Sequence, residues 1–200
     1  MRAEAKRWLV PAALLALTVL ITAVVRMAVP LSVTVGGRDA GVYVTLGDSC
    51  IFLAVLLCGA PWGALIAALG MALADLIVGS YSYIIGSFFI KGGMAFFIGA
   101  AVRRLVPQYG AQRPGWKGCL WAALLAEAIM VVGYFIYDLT VFGQYMVAAY
   151  EIPLNLLQGL VCGAVGAWLL RYFPAELRGR CNPSARPAAA WQQGTGRRVR

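Results

Sequence analysis

Apolar residues run along this chain in long blocks, not in alternation, and short polar stretches separate the blocks. A membrane-crossing helix needs roughly 20 apolar residues, fewer where neighbouring helices bury its ends. The first block, residues 8–25, opens after Lys6 and Arg7. A glycine-bearing stretch, 35–47, follows and is too polar to cross lipid. From Asp48 to Gly79 the chain is apolar for longer than one span, and Gly59, Pro61 and Gly63 lie in its middle. Those breakers divide it into two antiparallel helices, 48–60 and 62–79. Further blocks at 84–102, 118–139 and 151–170 are closed or opened by Arg103 and Arg104, Arg113 and Lys117, and Arg171. Residues 174–200 are rich in Pro, Gly, Gln and Arg and read as a flexible basic tail. The pattern predicts an all-α integral membrane protein, a six-helix bundle over residues 1–173. The basic-then-apolar start reads as a retained first helix, since more spans follow and no small-x-small cleavage site ends it.

Composition strengthens this reading. Of the 200 residues 62% are apolar and 12% charged, more apolar surface than a soluble domain of this length can bury. The net charge of +9 does not indicate nucleic-acid binding, because Lys and Arg sit between and beyond the apolar blocks and form no stripe. All 17 Lys and Arg except Arg26, Arg38 and Lys91 fall in the segments 1–7, 103–117 and 171–200. The positive-inside rule then puts both termini in the cytoplasm of a multi-pass cell-membrane protein. There is no histidine, and the five cysteines show no ligand spacing. That leaves no basis for a zinc site, a haem ligand set or a His-assisted nucleophile.

Ionisable groups inside spans are informative, because each costs ~2.5–3.5 kcal/mol on insertion scales. Asp75 ends the third block, Lys91 lies two turns into the fourth, Glu127 is central in the fifth and Asp138 ends it. Glu151, Asn155 and Gln158 recur at i, i+4 and i+7 and share a helical face, as do Glu127, Tyr134 and Asp138. Most of this set falls in the outer half of the membrane. Such convergence points to a polar cavity open to the outside. The structural alternatives are an Asp75–Lys91 ion pair, an aromatic belt containing Tyr81 and Tyr83, and Asn155 and Gln158 as interhelical glue. Asp48 begins a helix and reads as a cap there. Ala12 and Ala16 form a small-x-x-x-small pair that lets another helix approach the first one closely. No Gly-x-x-x-x-Gly-Lys-Ser/Thr loop, Gly-x-Ser-x-Gly elbow or His-Glu-x-x-His motif occurs. The sequence therefore describes a binding pocket, with neither an ATP site nor a catalytic arrangement of its own.

Several runs resemble the substrate-binding (S) components of energy-coupling factor (ECF) vitamin transporters. They are Tyr43-Val44-Thr45-Leu46-Gly47-Asp48 before Ile51-Phe52-Leu53, Gly63-Ala64 leading to Ala72-Leu73-Ala74-Asp75-Leu76, and Ile90-Lys91-Gly92. In the second half Gly133-Tyr134-Phe135, Tyr137-Asp138, Glu151-Ile152-Pro153-Leu154-Asn155 and Gln158-Gly159 continue the order. Asp138 stands where glutamate is expected. The resemblance implies a six-helix protein that captures a vitamin or precursor from outside. It also implies docking on one transmembrane coupling subunit and two ATPase subunits, which hydrolyse the ATP. The first outer loop, 28–47, would act as a lid, and Ala12 and Ala16 would face the coupling subunit.

The substrate site expected on these grounds comprises Asp75, Tyr81, Tyr83, Lys91, Tyr134, Tyr137, Asp138, Glu151, Asn155 and Gln158. Aromatic faces with few polar groups suit a planar heterocycle, riboflavin or a thiamine-pathway pyrimidine by resemblance. No cofactor or metal of its own is expected. An ion-coupled carrier relaying through Glu127, Asp75 and Lys91 is the alternative, and a membrane-embedded enzyme using Asp75, Asp138 and Glu151 a more distant one.

Overall fold

The computed structural model describes residues 2–28, 34–35, 38–39, 44–105, 115–143, 145–174, 177–179 and 181–182. Six α-helices follow in order: α1 (Arg2–Ala28), α2 (Gly47–Cys58), α3 (Ala60–Val78), α4 (Ile84–Leu105), α5 (Trp116–Tyr137) and α6 (Tyr145–Tyr172). A 3-10 turn, Tyr81–Tyr83, leads into α4, and a π-helical stretch, Asp138–Phe142, prolongs α5. Between α1 and α2 lies a two-stranded ribbon, β1 (Thr34–Val35) antiparallel to β2 (Arg38–Asp39). It is the one departure from an all-α chain among the described residues. Most of the expected lid, 28–47, lies outside them.

The helix boundaries follow local chemistry. Gly59 takes φ +81° between α2 and α3, a backbone conformation that glycine adopts without a Cβ penalty. Pro61 falls in the first turn of α3, where its missing N–H removes no helical bond. The last block begins at Tyr145, where the sequence suggests 151. Pro153 lies inside α6. A spanning helix tolerates the lost bond when its neighbours satisfy the freed carbonyl.

Five helices, all but α2, are long and apolar enough to cross a membrane. At about 1.5 Å per residue, the 12 residues of α2 reach only ~18 Å. The extended residues before α2 are therefore held at depth among the other helices. Thr45 is buried there, and its N–H donates to Gln158 Oε1 at 2.7 Å. Non-helical backbone is stable at such depth only when protein groups satisfy it.

One apolar core joins α2 through α6 around Phe52, Met94, Ala123 and Met130, and a smaller cluster around Leu14, Ala54 and Ile66 fastens α1 to α2 and α3. Close approach depends on glycine: a Cβ on Gly166 of α6 would lie 2.5–2.7 Å from three ring carbons of Phe52. At the C-terminal end of α2, Gly179 and Cys181 donate their N–H groups to the carbonyls of Leu56 and Leu57 at 2.9 and 3.0 Å. The segment expected as a flexible tail thus opens by satisfying the last turn of α2. Residues 183–200 lie outside the described residues.

Candidate functional site

A cavity of about 320 Å3, counting the space at its mouth, lies where α3, α4, α5 and α6 surround the N-terminal end of α2. Ten residues line it: Thr45, Met71, Asp75, Tyr83, Ser87, Lys91, Tyr134, Glu151, Asn155 and Gln158. Seven of them are residues the sequence singles out, namely Asp75, Tyr83, Lys91, Tyr134, Glu151, Asn155 and Gln158. The i, i+4, i+7 face of α6 contributes its three members together. The lining suits a small organic ligand contacted by ring faces and a few convergent polar groups.

At the floor of the cavity the polar groups form a closed network. Lys91 Nζ lies 2.6 and 2.8 Å from the two carboxylate oxygens of Asp48. Gln158 Nε2 donates to Asp48 Oδ2 at 2.6 Å, while Gln158 Oε1 accepts from the Thr45 N–H. The ammonium also sits 5.4 Å from the ring centroid of Tyr134, within cation–π range. Lys91 is 1% exposed and Asp48 0%. Charges this deep persist only when paired and hydrogen-bonded.

This network corrects two expectations. The partner of Lys91 is Asp48, not Asp75. Nor does Asp48 cap α2: the cap position is Leu46, with no side-chain cap bond, and Asp48 lies in the first turn. The helix N-terminus is a favourable place for its negative charge, but the side chain reaches α4 and α6.

A second group braces the wall. Tyr83 donates its hydroxyl to Asp138 Oδ1 at 2.8 Å, tying the start of α4 to the end of α5. Tyr137 donates to the Ser82 carbonyl at 2.7 Å, and its ring lies against Gly86, where a Cβ would come within 2.9–3.0 Å. Ser87 and Tyr134 share a hydrogen bond of 2.7 Å. The rings of Tyr83 and Tyr134 are 6.1 Å apart, and those of Tyr83 and Tyr137 are 5.9 Å apart. Asp138 and Tyr137 thus sit behind the lining. Tyr81 is 67% exposed and stands outside it. Glu127 is buried behind the cavity, packed against Gly159 and Gly163 of α6, where added Cβ atoms would meet its Cβ at 3.2 Å and its Cγ at 3.4 Å.

Asp48, Thr45, Met71 and Ser87 complete the site beyond the residues chosen from sequence. Ser87 lies one turn before Lys91, and Met71 one turn before Asp75, so helical spacing from a charged neighbour identifies both. Thr45 precedes α2 in non-helical chain and offers no such periodicity.

Ala12 and Ala16 lie far from the cavity lining, on the exposed side of α1. The opposite side of that helix buries Leu14, Thr18 and Thr22.

Residues 4–173 match the model of a protein family described as "ECF-type riboflavin transporter, S component". No curated protein and no solved structure matches the chain.

Proposed function

The chain belongs to the family of ECF-type riboflavin transporter S components, and from that premise we propose that riboflavin, or a close flavin, is the substrate held in the cavity. As a substrate-binding component the protein performs no chemistry. Its task is selective capture. The observation that carries the proposal is one cavity lined by Tyr83 and Tyr134 together with Glu151, Asn155 and Gln158. Tyrosine rings supply faces for a flat heterocycle, and the amides and carboxyl supply donors and acceptors for its polar edge.

The basic segments favour an orientation with both termini in the cytoplasm. The cavity, at the end away from those segments, then faces the outside. Delivery requires the other parts of the transporter, a transmembrane coupling subunit and two ATPases. The outer face of α1 suits the coupling subunit. Ala12 and Ala16 are exposed there between Leu9 and Leu20, themselves 68% and 60% exposed. Small residues flanked by large ones form a shallow groove into which a partner helix fits.

The test is mass spectrometry of small molecules released from the gently purified protein, followed by flavin-fluorescence titration of protein stripped of ligand. The expected result is a flavin released from the wild type, with affinity at least tenfold weaker in Asn155→Ala. Release of a different heterocycle, with no quenching of flavin fluorescence, would reassign the substrate.

A further inference from the structure

The cavity contains one cation among its described lining residues, Lys91, and that cation is already engaged. Both carboxylate oxygens of Asp48 lie within 2.8 Å of its Nζ, and Asp48 is itself fixed by Gln158. The remaining ionisable lining groups are Asp75, Glu151, Tyr83 and Tyr134, which carry no positive charge in any protonation state. Asp138 and Glu127 add further acids behind the wall. The described lining is thus rich in hydrogen-bond donors and acceptors, with no cation among its residues left to neutralise an anion.

From this balance we infer that Asp48 sets the charge selectivity of the pocket: by engaging Lys91 it reserves the site for an uncharged ligand and rejects the same ligand carrying a phosphate. The inference rests on the flavin reading of the site and adds to it a specificity-determining residue. A phosphate entering the cavity must shed water, and the loss is large unless a cation or several donors replace it. Here an incoming phosphate would have to compete with a carboxylate already seated on the ammonium. An uncharged sugar-alcohol or heterocycle edge meets no such penalty.

The experiment compares riboflavin with riboflavin 5′-phosphate by fluorescence titration of the full chain in detergent. The wild type should bind the phosphorylated form roughly 100-fold more weakly. Asp48→Asn frees the ammonium and should narrow that ratio at least tenfold, by strengthening the phosphate complex. The double variant Asp48→Asn, Lys91→Met removes both charges and should keep the wild-type preference. It also tests the idea if the single variant fails to fold. Equal binding of the two flavins by the wild type would overturn the inference while leaving the flavin reading intact. So would an unchanged ratio in a folded Asp48→Asn protein, or loss of preference in the double variant. Binding of neither flavin would overturn the flavin reading, and this inference with it.

Discussion

Lys91 shows how a single ammonium can be both central to a site and unavailable to the ligand as a charge. Its partner and its depth mean that removing it does more than delete one contact, because Asp48 is left buried without its counter-charge. Breaking a buried pair typically costs about 3–5 kcal/mol, whereas replacing both partners with well-packed neutral groups is often nearly neutral. Lys91→Met is therefore expected to lower the unfolding temperature in detergent more than the Asp48→Asn, Lys91→Met pair does. An equal or larger loss in the double variant would show that the two charges are not energetically coupled. Tyr83 poses a simpler case. Its hydroxyl is the donor to Asp138 Oδ1, so Tyr83→Phe leaves a buried acceptor unmet. That costs about 1–3 kcal/mol of stability, measurable by thermal unfolding, with only a modest change in flavin affinity. The acids and amides on α5 and α6 are legible in the sequence because a charge inside an apolar block is conspicuous. The identity of their partners is not. The sequence offers Asp75 as the partner of Lys91 and reads Asp48 as a cap, and only the short α2, set among its neighbours, brings Asp48 to Lys91 instead.

The helices pack through small residues, and the sequence announces this better than it announces helix ends. Apolar blocks, set apart by basic residues, polar stretches and a Gly-Pro break, locate all six helices, since lipid demands long uninterrupted runs. The boundaries shift where a residue has two meanings. Pro153 can start a helix or sit within one, and here it sits within α6 with its side chain exposed. Likewise Gly59, not Pro61, ends α2, because the turn requires the positive φ that glycine supplies. Glycines within helices carry a stronger message. Gly166 lets α6 settle on Phe52, which is fully buried in α2. Gly166→Ala places a methyl against three ring carbons and should cost about 1–3 kcal/mol through overpacking. Because α2 also carries Asp48 and is preceded by Thr45, the displacement should reach the cavity floor and weaken ligand binding as well. Thermal unfolding and flavin titration of this variant test both effects. An alanine absorbed without loss in either would mean that Phe52 has another rotamer open to it.

The proposed capture site and docking surface lie on different faces of the protein, which would make them separable by substitution. The described cavity lining comes from Thr45 before α2, from the turn before α4 and from α3 to α6, and α1 contributes none of it. The inward side of α1 is fixed by Leu14, Thr18 and Thr22, with the Thr22 hydroxyl 3.5 Å from Met71 Sδ. Its outward side carries Ala12 and Ala16, which touch the surrounding lipid or a partner, not the bundle core. Large side chains on that side, Ala12→Trp or Ala16→Trp, should therefore leave flavin affinity and thermal stability within experimental error of the wild type. The same substitutions fill the groove that a coupling helix would enter, so ATP-driven flavin uptake by the reconstituted transporter should fall at least tenfold. Co-purification of the coupling subunit should fall with it. Uptake that survives both substitutions would move the docking surface to another helix. Uptake lost together with flavin affinity would mean that α1 supports the cavity, and that capture and docking are not mechanically independent.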